Sequence, residues 1–388
     1  MSSTSKPACP DLREVFRSIP DWRAERTKAH RLEDILVIAT CSMLCGQGHF
    51  THMEAFGHLR HSWLSTFLEL PNGIPSHDTF RKVFSTLNPK LFMDCFSLWT
   101  QGVLARLESA GESSAVEGVI AIDGKAVRRA LDSGQKAPVM VGAWACDLGM
   151  CLGQIKVDEK SNEITALPAL LDLLMLKGCI VTIDAMGCQR EVAQKIVAQG
   201  GDYILAVKDN QPSLHQQASF YLNGALDLAR AEGKYYEEES NGHGRHEVRR
   251  CWVMDEVEPW LEGAGKWRGL RSVAAIECER TCNGVTSVQR RYFITSLKAD
   301  AKLVAQSVRA HWGIENSLHW VLDVTFGEDT SRARTGCCTS NLAGLRRLAA
   351  SAIKRENPNS KKSINIRRFE AGLDPVYLAR LLGVTLDA

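Results

Sequence analysis

Three acidic residues of this 388-residue chain sit where carboxylates can do chemistry. Asp123 ends the apolar run VIAID (119–123), and Asp184 ends CIVTID (179–184). Each reads as the last residue of a short buried strand, and in open α/β sheets ligands gather outside the strands' carboxyl ends. An aspartate there is also a common turn or helix-cap residue, so either one alone carries little. Two of them on neighbouring strands repel each other unless a cation lies between, and oxygen-rich pairs with open positions suit Mg2+ or Mn2+. Two such ions about 4 Å apart stabilise both the attacking and the leaving oxygen in phosphoryl transfer. That chemistry wants a third carboxylate, and Glu315 is the candidate. It lies mid-helix in RAHWGIENSLHWVLDV, with His311 and His319 four residues to either side and Trp312 three before it. Those spacings share one helical face. Most helical glutamates are plain surface residues, but few are so crowded by His, Trp and Asn.

The elements that must hold these acids are legible in outline. Residues 10–110 read as helical. LEDILVIATCSMLCG (32–46) is an apolar helix too short for a membrane, HMEAFGHLRHSWLSTFL (52–68) is amphipathic, and Ser76 or Asp78 starts a helix that places Phe80, Val83, Phe84 and Leu87 on one side. LFMDCFSLWTQGVLARL (91–107) follows, and the small polar stretch 109–118 is a linker. Strands are then expected at 119–123, 138–147 and 150–158, with a hairpin between the last two. A helix over 162–178, a strand at 179–184, a helix over 188–201 and a strand from 202 complete a mixed five-stranded α/β sheet. Residues 211–298 break the alternation and read as a largely β insertion. Helices return over 302–324, near 340–355 and over 375–383.

Composition excludes several classes. Apolar residues make up 45% and charged residues 24%, as in an ordinary folded protein. No apolar run reaches a membrane-spanning length, and MSSTSKPACPDLREVF lacks the apolar core of a secretory signal. The 13 cysteines form no CxxC pair, so the reducing cytosol is the expected compartment. Cys41, Cys45, His49 and His52 have a spacing that matches no standard zinc pattern. Net charge is only +2, but 345–368 holds eight cationic residues against Glu356, a candidate phosphate-contacting patch.

The segments AIDGKAVRRA, LGQIKVDEKSNEITALPALL, VTIDAMGCQREVA, DYILAVKDNQPSL and RAHWGIENSLHWVLDVTFGED resemble bacterial insertion-sequence transposases of the H-repeat-associated group. That group is similar to the larger class with a DDE ribonuclease-H-like catalytic domain and a β insertion before the third acid. The resemblance covers roughly residues 10–385, and the runs KSNEI to DNQ and HWxIENxLHWVLDV are its most specific parts.

The resemblance implies a division into a helical DNA-binding domain (1–112), the first part of the catalytic domain (113–207), the β-rich insertion (208–298), the segment with the catalytic helix (299–340) and a basic helical end (341–388). It makes Asp123, Asp184 and Glu315 the catalytic, metal-holding acids, 61 and 131 residues apart, with two Mg2+ or Mn2+ ions. It implies binding of double-stranded DNA, both the element's terminal inverted repeats and the target, by a homodimer on paired ends in the bacterial cytoplasm at the nucleoid. The freed 3′-hydroxyls would be joined to target DNA. Candidate DNA contacts are His77, Arg81 and Lys82 at a helix start, Lys125, Arg128, Arg129, Lys208, Arg309, His311 and His319, and Arg346, Arg347, Lys354 and Arg355 in the basic stretch. The broader class carries Tyr, Arg and Lys around the glutamate where this chain has Val308, His311 and Leu322. Glu328 and Asp329 in FGED are a rival third acid. Other readings are a transposase-derived DNA-binding protein without transposition, or a metal-dependent nuclease. Trp252, Trp260 and Trp267 of the insertion read as core residues, one by one.

Overall fold

A computed structural model describes residues 9–109, 118–129, 137–157, 163–242 and 244–386. Most of the expected linker at 109–118, part of KSNEI and His243 lie outside the described residues.

The chain opens with α1 (Leu12–Arg17), α2 (Leu32–Leu44), α3 (Phe50–Leu59), α4 (His61–Leu64), α5 (His77–Thr86) and α6 (Pro89–Ser109). Every residue of α2 is buried, which explains its unbroken apolar run. The single helix expected over 52–68 is broken at Arg60, which leaves helical geometry and whose guanidinium donates to the carbonyl of Gly372. Ser76 caps α5, its hydroxyl accepting from the Thr79 N–H, and Phe80, Val83 and Phe84 are buried as the spacing predicts.

The sheet strands are β1 (Val119–Ala126), β2 (Val139–Ala145), β3 (Met150–Lys156), β4 (Ile180–Ile183), β5 (Asp202–Val207), β6 (Tyr235–Gly242), β7 (Arg245–Met254), β8 (Ser272–Cys282) and β9 (Val285–Thr295). Between them run α7 (Glu163–Asp172), α8 (Arg190–Ala198), α9 (Pro212–Gly224) and α10 (Leu226–Ala231), and α11 (Ala301–His311) follows β9. The strand order is β3-β2-β1-β4-β5-β9-β8-β7-β6. The strands expected from the sequence give β3-β2-β1-β4-β5, with β2/β3 antiparallel and β1/β4/β5 parallel. Among the described residues the sheet nevertheless has nine strands, not five. Strand β9 pairs antiparallel with β5, Ile204 opposite Thr295, so the insertion's strands extend the same sheet and cover an edge that would otherwise be open. The insertion also begins with two helices, α9 and α10.

After α11 the expected helix over 302–324 does not continue. It gives way to π-helical turns at Glu315–His319 and Val321–Thr325. Then come α12 (Cys338–Glu356), α13 (Ile364–Leu373) and α14 (Pro375–Leu382). No disulfide joins any of the 13 cysteines.

Two compact units emerge. The first comprises Met1–Ala115, Gly124–Glu159 and Glu315–Ala388, and the second Val116–Asp123 and Lys160–Ile314. The first is built around α12, a helix of small residues with all but three of its 19 positions buried. The second packs α11 on the sheet: Val304 and Val308 meet Ile204, Val253, Ala274 and Phe293. Among the described residues, no helix is long and apolar enough to cross a membrane.

Candidate active site

Strands β1 and β4 run parallel with Ile122 opposite Ile183. The next residue of each is an aspartate: Asp184 directly follows β4, whereas Asp123 lies within β1, which runs on to Ala126 rather than ending at 123 as expected. The Asp184 carboxylate accepts from the Met186 N–H at 3.1 Å and caps the 3-10 turn Ala185–Gly187. This turn demands glycine at 187, because a Cβ there would meet Ile183 Cγ2 at 2.2 Å and Leu167 Cδ1 at 3.0 Å. Helix α7 therefore lies directly on the turn that follows Asp184.

Thr182 and Asp184 point to the same face of β4. His311, at the end of α11, packs on that face with Nδ1 3.0 Å from the Thr182 hydroxyl. Burial pulls the His311 pKa below its ordinary value, and the opposing pull of the Asp184 charge does not win. His311 is thus a hydrogen-bonding group whose charged form burial disfavours, where the resembled class carries an arginine. Glu163, in the first turn of α7, is pushed above the usual carboxylate range by burial and then by the Asp184 charge. Neither Thr182 nor Glu163 stood out in the sequence, although the NEI of the specific KSNEI run contains the glutamate.

Glu315 opens the first π-helical turn and is exposed, whereas His319 closes it and is buried, and each offers one atom of metal-ligating character. The helical spacing expected for the pair is kept even though the helix type differs.

A second set of acids has a different character. Lys125, two residues beyond Asp123 and 6% exposed, lies 2.6 Å from Asp323, 3.5 Å from Glu328 and 3.4 Å from Asp329. Glu328 is fully buried and takes a 2.9 Å bond from Arg347. Burial alone would raise the Glu328 pKa, but Arg347, Arg346 and Lys125 outweigh it and hold the carboxyl below its usual range. Asp323 is raised by burial despite the Lys125 ammonium. Glu328, half of the rival third acid, is thus a buried carboxylate neutralised by Arg347 and Lys125, and Asp329 lies beside the same ammonium.

The expected phosphate patch in 345–368 is corrected. Arg346, Arg347 and Arg355 are 4%, 1% and 7% exposed, and Arg367 and Arg368 are buried too. Arg367 bonds Glu356 and the Tyr377 hydroxyl, and Arg368 bonds the Met43 carbonyl. Lys354 donates to the Ser317 carbonyl at 3.2 Å and lies over the Trp144 ring at 4.7 Å, and burial brings its pKa down to about 8. Lys125 is likewise an internal brace rather than a surface cation. Arginine type suggested a solvated face, but the small residues of α12 draw its cations inward.

Of the other candidate contacts, His77 bonds Glu54 at 2.8 Å, Arg81 bonds Asp78 at 2.8 Å, and Lys82 is exposed beside them on α5. Lys208 and Arg129 are exposed, Arg128 lies 3.7 Å from Asp329, and Arg309 pairs with Glu238. Trp252 and Trp267 are buried in keeping with a core role, whereas Trp260 is exposed and stacks on Tyr221.

Residues 114–350 match the family model described as transposase DDE domain, and residues 13–100 match DDE_Tnp_1-associated. The chain is 36% identical over 378 residues to "Putative transposase YncI" of Escherichia coli O157:H7, spanning 96% of this chain and 94% of that protein. It is 35% identical to "H repeat-associated putative transposase YhhI" of Escherichia coli strain K12, over 96% and 97% of the two chains. A protein of Xanthobacter autotrophicus, "Uncharacterized protein in dhlA 3'region", is 42% identical over 75% of this chain and 96% of its own length. Among solved structures, the piggyBac transposase synaptic complex with hairpin DNA aligns over 96% of this chain and 77% of that one, at 8% identity and a TM-score of 0.39.

Proposed function

Since the chain belongs to the DDE transposase family, we propose that it cuts DNA at the terminal inverted repeats of its insertion sequence and joins the freed 3′-hydroxyls to target DNA. The observation that carries this reading is that Asp123 and Asp184 directly follow Ile122 and Ile183, the last paired residues of two adjacent parallel strands. The order β3-β2-β1-β4-β5 supports a ribonuclease-H-like core for this chemistry.

The donor set fits Mg2+ or Mn2+: it is rich in hard carboxylate oxygens, and the histidine nitrogen is acceptable to Mn2+. Asp123, Asp184 and Glu315 would hold such ions. When bound, such ions supply an activated nucleophile and neutralise charge at the reacting phosphate. The chain's own side chains do the rest. The Met186 N–H fixes one Asp184 oxygen, so the carboxylate is oriented before anything binds. His311, whose pKa burial lowers, is held by its hydrogen bond with the Thr182 hydroxyl on the face that carries Asp184. Two element ends must be joined, so two copies of the chain act together on paired ends.

The test is an assay with Mg2+ and a duplex carrying the element end. Wild-type protein cleaves the end and yields strand-transfer products, whereas Asp123→Asn binds the end without cutting it. Cleavage retained by Asp123→Asn contradicts the assignment, and cleavage without any joined product reduces the activity to that of a nuclease.

A further inference from the structure

Two loops of the first unit carry cations that neither the candidate metal site nor the buried ion cluster uses. Arg129 stands in the turn that leaves β1, and Arg332 and Arg334 stand between the 3-10 turn Glu328–Thr330 and α12. Among the described residues, these three side chains line one cleft of about 520 Å3, and all three are exposed.

The loops are tied to each other. Arg334 Nε donates to the Arg129 carbonyl at 3.3 Å. Asp329 accepts from the Arg128 N–H at 3.3 Å, while Lys125 Nζ lies 3.4 Å from the same Asp329 oxygen. The cleft is therefore braced from beneath by the buried ion cluster and does not depend on the arginines meeting by chance.

Guanidinium forks match the oxygens of a phosphate and bind them through paired N–H donors. Arg129 follows Asp123 by six residues, so chain reach keeps the two backbones within about 21 Å. That is about six nucleotide steps along one strand of a duplex.

We propose that Arg129, Arg332 and Arg334 form a cradle for backbone phosphates of duplex DNA, a few nucleotides from the bond that is cut. The nature of the anion rests on the transposase reading. The cradle contacts phosphates and not base edges, so it sets the position of the duplex and carries no sequence preference. Two of its three residues lie in RAR (332–334), past the segment that marks the family and outside the basic stretch 345–368, whose arginines are buried.

The experiment measures binding of full-length protein to a fluorescent duplex of mixed sequence across a range of salt. In the triple variant Arg129→Gln/Arg332→Gln/Arg334→Gln the plot of log affinity against log salt becomes shallower by about two to three, and affinity at moderate salt falls about tenfold or more. A control that removes three exposed lysines elsewhere, Lys90→Gln/Lys266→Gln/Lys302→Gln, keeps the wild-type slope. Should the triple arginine variant fail to melt cooperatively, Arg332→Gln alone is read, with a slope change of about one. A wild-type slope in the arginine variants, or the same loss in the lysine control, overturns the cradle. Cleavage by Asp123→Asn, measured in parallel, reports separately on the transposase reading. If Asp123→Asn is inactive and the slope is unmoved, only the cradle fails.

Discussion

The acids around Asp184 and those around Lys125 differ in what neutralises them. At Asp184 the neighbours are a backbone N–H, a histidine whose pKa burial lowers, and a second carboxylate, Glu163, whose pKa is raised by burial and then by the Asp184 charge. At Lys125 three carboxylates meet an ammonium, and Glu328 also meets Arg347. The second group is closed by cations that belong to the chain, and it holds the strand and the following segment in place. The first leaves room for cations from outside. Acidic clustering alone did not separate the two. The position of lysine and arginine within the fold does.

That contrast is sharpest at Asp184→Asn against Glu328→Gln. Asp184→Asn lowers end cleavage by about a hundredfold to a thousandfold or more, the scale of losing a preorganised electrostatic group. Its thermal midpoint does not fall, because a repelling charge has been removed. Glu328→Gln leaves Arg347 buried without its acid, while Lys125 keeps Asp323 and Asp329, and costs about 3–5 kcal/mol of stability. Cleavage per folded molecule at low temperature stays near wild type. Both quantities come from paired melting curves and cleavage assays, and an exchange of the two phenotypes breaks the comparison.

Lys354 tests the same logic on a buried cation that has an aromatic face and a carbonyl in place of an acid. Its folded pKa of about 8 lies below the 10.5 of an exposed lysine. The unfolded chain therefore binds the extra proton between these values, and stability rises as pH goes from about 8 to about 10.5. Wild type gains on the order of 2 kcal/mol over that window relative to Lys354→Met, and loses the gain as pH falls through 8. Parallel pH-dependent unfolding curves for the two proteins contradict the burial argument.

Ser76→Ala is the smallest expected change. It removes the cap of α5 and costs about 1 kcal/mol in denaturant melts, with cleavage untouched. A loss of DNA binding beyond what that destabilisation explains would tie the His77–Lys82 end of α5 to the substrate.

The five strands β1 to β5 were legible from their apolar β-branched runs, but the end of β1 was not, because the strand continues through Asp123 to Ala126. The π-helical turns were not legible, since a spacing of four satisfies both helix types over so short a stretch. Strand β6 lies in YYEEESNG, an acidic run without apolar alternation; its register sets Glu237 opposite Arg250 and Glu238 opposite Arg249, so the pairing charges lie in β7. The buried arginines of α12 were misread for a similar reason. Alanine, serine and glycine surround them, and small residues carry little hydrophobic signal although they let a helix sit in the centre of a unit.

The most direct test of the central claim is anomalous diffraction from crystals of the wild-type protein grown with Mn2+. The account predicts Mn2+ density bound by the carboxylates of Asp123, Asp184 and Glu315, and its loss in Asp184→Asn crystals at the Asp184 position. Density confined to Asp323, Glu328 and Asp329, or none at Asp123 in crystals of protein that cleaves DNA with Mn2+, would contradict it.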